Sequence, residues 1–173
     1  MSADWYKEQP SNRNFLNPIG YLLKLEKFEG VDFFCQKANL PELTMPTTEV
    51  ASPFRNLPII PGGGVTFGDF SVSFIVDEDL KNYNAIHSWI RDNGNADQMA
   101  RTTPKNDILT HGLLHIVTSH FNPAFIVEFR DIFPVSLSAL QFDATMTDVE
   151  YITAEVTFKH QQMFLLDKDS RPL

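Results

Sequence analysis

The sequence predicts a mainly β protein, an antiparallel sandwich or barrel with one helix and one long inter-strand loop. Three observations predict it. Segments of alternating polar and apolar residues recur between Ile19 and His160, seven or so in number. Only the stretch after Asp77 carries apolar residues at helical spacing. Phe occurs 15 times, against 2 Trp and 4 Tyr, a bias that suits sheets packed face to face. At 173 residues and 43% hydrophobic, the chain has the material for the core of one domain.

Taken in order, residues 1–18 are polar with Pro10 and Pro18, and read as an extended arm. Trp5, Tyr6, Phe15 and Leu16 leave two readings open, disorder or docking on a neighbouring subunit. From Ile19 to Phe28, Tyr21, Leu23 and Leu25 alternate with Leu22, Lys24 and Glu26, as in a strand. Glu29-Gly30 reads as a turn and Val31–Ala38 as the returning strand, so the two are expected to form a hairpin.

The stretch Phe33–Asp77 then makes a long excursion broken by Pro41, Pro46, Pro53, Pro58 and Pro61. Each Pro lacks a backbone donor, so the segment is expected to be a loose edge hairpin or an extended arm. Met45, Val50, Phe54, Leu57, Ile59 and Ile60 make it too apolar for a solvated linker. Long structureless connections need a reason, and packing on another copy of the chain supplies one. After the bend at Gly62-Gly63-Gly64, Val65–Val76 reads as a strand. Phe70, Val72, Phe74 and Val76 lie on one face, and Asp69, Ser71, Ser73 and Asp77 on the other.

Asp77 suits a helix N-cap, with the acidic Glu78 and Asp79 in a first turn. Leu80, Tyr83, Ile86, His87 and Ile90 would share the buried face, and Asn93-Gly94 ends the helix. Asn95–Asp107 reads as a surface loop. Strands are expected at His111–Thr118, Ala124–Phe133 and Tyr151–His160, with a weaker one at Leu137–Ala144. Gln161–Leu173 carries Met163, Phe164, Leu165 and Leu166 before a charged tip.

The residues argue against several function classes. A net charge of −8 opposes nonspecific attraction to nucleic-acid phosphate. The single cysteine, Cys35, can form no internal disulfide and reads as a buried small hydrophobe. The first residues lack a signal-peptide pattern, and no apolar run is long enough to cross a bilayer, so the expected compartment is a cytoplasm or a particle assembled there. His111 and His115 would share a strand face with Cα atoms about 13 Å apart, too far for one metal ion, and His120 lies elsewhere. Pro61-Gly62-Gly63-Gly64 has no Lys-Ser/Thr behind it and opens a strand, so it is no phosphate loop. Ser71 and Ser73 sit on a regular strand, without a nucleophile elbow. Asp77, Glu78 and Asp79 lack the spacing of a cation loop. Neither an active site nor a cofactor or metal site is expected.

The order of short motifs resembles a known family. A hairpin ends in Phe33-Phe34-Cys35-Gln36-Lys37-Ala38-Asn39-Leu40-Pro41, and a long loop follows. Thr66-Phe67-Gly68-Asp69-Phe70-Ser71-Val72-Ser73-Phe74 comes next, then a helix reaching Trp89. Phe129-Arg130-Asp131-Ile132-Phe133-Pro134 and Ile152-Thr153-Ala154-Glu155-Val156-Thr157-Phe158 close the series. This pattern resembles the tail tube proteins of contractile-tailed bacteriophages, related in fold to the inner tube of type six secretion systems. It covers roughly 19–160, between the arm of 1–18 and a C-terminal extension of 161–173.

The resemblance implies a β-barrel-like subunit that closes into hexameric rings, with rings stacked into a hollow virion tail tube assembled in the host cytoplasm. The long loop would reach the adjacent ring through Met45, Val50, Phe54, Arg55, Leu57, Ile59 and Ile60. The implied partners are other copies of the chain and the tail sheath, baseplate hub and tape measure proteins. Genomic DNA would pass through the lumen without specific binding. Six copies carry roughly −48 per ring, and like charge lets phosphate slide. Asp69, Glu128, Asp143 and Glu155 are the candidate lumen-facing carboxylates; the alternative for each is an ordinary solvated sheet face. The N-terminal arm, the 93–107 segment and the tail exceed the minimal pattern. A specialised ring at the baseplate or head-proximal end therefore stays open, as does the inner tube of a bacterial injection machine. A ligand-binding or enzymatic barrel would need a convergent polar pocket, which the sequence does not indicate.

Overall fold

The computed structural model describes residues 16, 18–26, 35–51, 53–61, 64–94, 108–118, 120, 122–145 and 151–173. The arm of 1–15, the Glu29-Gly30 turn with Val31–Phe34, and the 95–107 segment lie outside the described residues.

Strand β1, Tyr21–Leu25, buries Leu23 and Leu25 and leaves Leu22 and Lys24 outside, the alternation its sequence dictates. Strand β2 is Cys35–Ala38. The short β3, Leu43–Thr44, and β6, Thr66–Phe67, pair with each other, as do β4, Thr47–Ala51, and β5, Asn56–Pro61. Strand β7, Phe70–Ile75, follows, then helix α1, Lys81–Gly94, and β8, Thr110–Val117. Strands β9, Pro123–Leu137, β10, Thr153–Lys159, and β11, Gln162–Asp167, complete the order.

The main sheet runs β1-β8-β9-β10-β7-β2, with β11 also paired to β9. All of its ladders are antiparallel. Among the described residues the expected β1–β2 hairpin pairing is not formed: the two strands pair with β8 and β7 and occupy opposite ends of the path. Sequence adjacency favours a hairpin, but the two apolar faces bury more surface when the sheet rolls around one core. Its ends then meet through side chains, with the Cys35 thiol 3.9 Å from the Tyr21 hydroxyl. Burial, with Cys35 beside it, pushes the Tyr21 hydroxyl up to about 12, so it stays protonated.

Strand β9 makes the roll possible. Val127 and Phe129 are buried, then Ile132 and Pro134, so the inward parity shifts by one residue. Asp131 takes up the extra residue with φ 55, a left-handed conformation that Asp tolerates. Before this bulge β9 pairs with β8 and β11; beyond it β8 pairs once more, Thr110 with Ile132, and β10 takes over from Phe133. Lys159 pairs with Phe133 and Gln162 with Arg130 in one continuous register, so β10 and β11 act as a single bent strand beside β9. Strand β11 was not expected: Gln161–Leu173 reads as a short apolar cluster with a charged tip, and long-range pairing with β9 decides its structure. The weaker strand expected at Leu137–Ala144 ends instead with β9 at Leu137, and 138–143 form no strand.

The core comprises Phe70, Val72 and Phe74 of β7, Val127, Phe129 and Ile132 of β9, Ala154, Val156 and Phe158 of β10, and residues of β1 and α1. Phe70 stacks on Phe129 at 4.4 Å between centroids, and Phe158 lies 6.0 Å from Phe70. Helix α1 packs on β9 and inserts Ile86 and Trp89 into the core, with Asn82 buried on the same face.

Two expectations about the helix are corrected. Asp77 is not its cap: Asp77–Leu80 form a turn closed by the Leu80 amide on the Asp77 carbonyl, and Leu80 has φ 57. The helix starts after it, with no acidic residue in its first turn. Consequently Leu80 and His87 are exposed, and Trp89 takes the core position. Asn82 fixes this start. Its Oδ1 accepts from the amides of Asp77 and Tyr83 at 3.1 and 2.7 Å, and its Nδ2 donates to the Ile75 carbonyl at 2.8 Å.

Candidate assembly surface

The excursion between β2 and β7 stands on a pinned base. Asn39 Nδ2 donates to the Asp69 carbonyl at 3.0 Å, and the Ser71 amide donates to Asn39 Oδ1 at 2.6 Å. Beyond this clamp, the Gly68 amide donates to the Glu42 carbonyl at 2.9 Å, and β3 pairs with β6. Gly68 permits that approach, since a Cβ there would lie 2.8 Å from Glu42 Cγ and 3.3 Å from its amide nitrogen. The expected continuous strand Val65–Val76 is broken here into β6 and β7.

Above the base, β4 and β5 pair with each other and, among the described residues, with no other strand. Pro58 and Pro61 are tolerated because this ribbon has open edges. Two β5 residues oppose one β4 step between Thr48 and Glu49, a bulge beside Pro58. Strands of five and six residues extend the ribbon by about 15–20 Å. Phe54 at the tip is 99% exposed, Met45 is 52% exposed, and Arg55 is exposed. Val50 and Leu57 are cross-strand partners, and Ile59 and Ile60 lie on β5. A fully exposed Phe on a projecting ribbon has lost nothing yet to desolvation; burying it against a partner is worth about 1.5–3 kcal/mol.

The four candidate carboxylates are not brought together on one surface. Glu155 lies on the outer face of the half-sheet β10-β7-β2 with Ser71, Ser73 and Lys37, and all four line one shallow hollow. Asp69, at the start of β7, pairs with Lys159 at 3.7 Å. Glu128 is on the outer face of the other half-sheet, β1-β8-β9-β11, where Arg130 Nε lies 2.9 Å from it. Asp143 is in the connection after β9, accepts from the Thr145 hydroxyl and amide, and is held below the usual carboxylate range by those bonds. The two outer faces differ in character. Leu113, Ile126, Phe164 and Leu166 make the β8-β9-β11 face apolar, whereas Ser71, Ser73, Thr153 and Thr157 make the β10-β7 face polar.

His111 and His115 share the outer face of β8 and His120 lies in the turn beyond it. Among the described residues no group of three or more His, Cys, Asp or Glu side chains is placed to hold a metal ion. Among them, too, no helix is long and apolar enough to cross a membrane.

His160 was not singled out by the sequence, yet it occupies the bend between β10 and β11. Its ring lies 5.3 Å from Phe67 and 5.1 Å from Phe129, linking the base of the hairpin to the core. Among the described residues neither ring nitrogen has a hydrogen-bond partner. Burial pulls its pKa down, partly opposed by the Asp69 charge. Between the ordinary value near ~6.5 and the lowered folded value, the unfolded chain binds more protons than the folded one. Stability is therefore expected to fall as pH drops through that window and to level off below it. Melting curves from pH 7.5 to 5 should show this slope, and His160→Phe should flatten it. An unchanged slope in the variant refutes the assignment.

The phage tail tube protein family matches the chain over residues 8–165. No curated protein matches it. A solved structure of the anti-feeding prophage cap, a tube-terminating cap, is similar with a TM-score of 0.64 and 15% identity, over 94% of this chain and 98% of that one. A chain of the sheath–tube complex of an extracellular contractile injection system, PVC, in its extended state, is similar at 0.61 and 12%, over 90% and 93%. An Hcp protein is similar at 0.52 and 9% identity, over 87% and 94%. At these identities the likeness establishes a shared fold.

Proposed function

The chain belongs to the phage tail tube protein family, and on that premise we propose that it is the subunit of six-membered rings that stack into the inner tube of a contractile phage tail. The observation that carries this reading is the β4–β5 hairpin, pinned at its base and presenting Phe54 to solvent. Among the described residues this hairpin pairs with no strand of the main sheet, and a neighbouring ring would cover it, with Met45, Val50, Phe54, Arg55, Leu57, Ile59 and Ile60 supplying the contact. The unit that repeats is the rolled sheet of 19–160, with the 161–173 segment paired alongside through β11.

Within such a tube the polar β10-β7-β2 face lines the lumen, with Glu155 and Asp69 facing passing DNA. The apolar β8-β9-β11 face meets protein, either the neighbouring subunit or a surrounding sheath. Hydroxyl and carboxylate groups give phosphate no cation to hold, beyond Lys37 and Lys159, and these face Glu155 and Asp69. The role is structural: conduction of the genome, with tail sheath, baseplate hub and tape measure proteins as the other partners.

Purified protein viewed by negative-stain electron microscopy, with light scattering alongside, tests this. Hollow tubes with sixfold end views are expected. A stable monomer at high concentration overturns the reading, and a tube reconstruction with Glu155 on the outer wall overturns the lumen assignment. Discrete rings that never stack would move the chain to a specialised ring at one end of the tail.

A further inference from the structure

The ring of His160 joins the base of the β4–β5 hairpin to the core by packing, lying against Phe67 of β6 and Phe129 of β9. Both ring nitrogens are shut off from solvent, and among the described residues neither has a hydrogen-bond partner. Neutral imidazole tolerates this place as an aromatic ring. Imidazolium would bring two N–H donors and a charge that need acceptors there. The base that the ring holds is thin. Its strands are joined by two residue pairs, Leu43 with Phe67 and Thr44 with Thr66, and by the Gly68 amide on the Glu42 carbonyl. Below it the Asn39 clamp on Asp69 and Ser71 fixes the head of β7, so any movement of β3 and β6 would hinge between Gly68 and Asp69.

We propose that His160 is a proton-operated latch: neutral, it holds Phe67 to the core, and as imidazolium it leaves that packing for the Asp69 carboxylate, freeing the hairpin base to hinge. The charged residues on the elements around the ring are Asp69 at the start of β7, Lys159 on β10, Glu128, Arg130 and Asp131 on β9, and Glu42 next to Gly68. Of these, Asp69 is the one whose charge favours protonation of the ring. Its side chain is exposed, and Lys159 reaches it only at 3.7 Å, so the carboxylate can take a second cation. Arg130 is committed to Glu128 and to the face of Phe164, which leaves its charge matched. Burial holds the closed ring neutral, and an open ring beside Asp69 binds the proton more tightly, so acid drives opening. The latch concerns the hairpin base itself; on the tube reading it would make ring stacking sensitive to acid.

Hydrogen exchange tests it, read as protection relative to the intrinsic rate between about pH 7.5 and 5, on the wild type, His160→Phe and Asp69→Asn. In the wild type the Gly68 amide, which the closed base protects, is expected to lose protection by about tenfold as the ring titrates. The Ser71 amide, bonded to Asn39 below the hinge, and the core amides of β7 and β10 should lose clearly less. His160→Phe keeps an aromatic contact without a titrating group, so its Gly68 protection should stay flat. Asp69→Asn removes the receiving charge from an exposed position and should move the transition to lower pH. A Gly68 amide that keeps its protection in acid overturns the latch, as does the same loss in His160→Phe. So does a loss shared evenly with the core amides, which would mean that His160 acts on global stability alone. An unshifted transition in Asp69→Asn overturns Asp69 as the receiver. The readout follows the subunit whether or not it assembles, so failure of the latch and failure of the tube reading are separate results.

Discussion

Replacing Phe54, Leu57 and Ile59 together with Asp is expected to abolish tubes and leave a folded subunit. Among the described residues the hairpin forms no ladder with the main sheet, so three charges on it are expected to spare the core. Its assembly contribution is large by repetition. Each Phe54 buried in a neighbour is worth about 1.5–3 kcal/mol, and six such contacts per junction multiply that to roughly 10–20 kcal/mol before Leu57 and Ile59 are counted. Placing carboxylates there also adds the cost of burying a charge without a partner. Sedimentation should find the protein entirely in the soluble fraction, with a melting temperature within a few degrees of wild type. Normal tubes from the triple variant would show that the excursion is not the stacking element.

Phe129→Ala should have the opposite signature, losing the fold first and assembly as a consequence. Phe129 is fully buried, stacks on Phe70, and meets the edge of His160, so it joins β7, β9 and the β10–β11 bend. Truncating a buried Phe costs about 3–5 kcal/mol in transfer and cavity terms. For a domain of this size that lowers the melting temperature by roughly 6–20 °C. The adjacent Asp131 bulge depends on the same packing, so the loss should be cooperative and should free the β11 end to hydrogen exchange. A drop of only a degree or two would mean that the site relaxes into the cavity and that the bend does not depend on this ring.

These two residues also mark how far the sequence could be read. The inward rows Phe70-Val72-Phe74 and Ala154-Val156-Phe158 were legible because a strand with one buried face must alternate, and the structure buries those rows. The helix was legible in type and in its end at Asn93-Gly94, but not in its start, which lies at Lys81 after the Asp77–Leu80 turn and not at an Asp77 cap. Its buried face was legible in part: Tyr83, Ile86 and Ile90 pack on the core as read, while Leu80 and His87 are exposed and Asn82 and Trp89 take inner positions. Nothing local distinguishes a capping Asp77 from one in the preceding turn. Nor does alternation reveal the parity change at Asp131, because a bulge obeys the tertiary bend and not the strand period.

The candidate surface divides in the same way. The apolar, Pro-broken segment was legible as a loose hairpin or arm whose Met45, Val50, Phe54, Arg55, Leu57, Ile59 and Ile60 call for a partner surface, and of these the structure shows Met45, Phe54 and Arg55 exposed. The clamp of Asn39 on Asp69 and Ser71, the packing of the His160 ring between Phe67 and Phe129, and the Asn93 amide that has no hydrogen-bond partner among the described residues depend on segments far apart in the chain and carry no local signature.

By itself, the sequence determined the β class, the strand faces, the single helix, the projecting excursion and the family resemblance, all of which rest on short-range periodicity and steric punctuation. Only the tertiary structure decided that β1 and β2 part to opposite ends of the sheet, that β9 and the β10–β11 run bend together, and that α1 leaves a cleft beside β9. The physical reason is that strand pairing and cavity shape are set by closing one apolar core from segments distant in sequence. That closure depends on the sum of their packing, which no single segment contains.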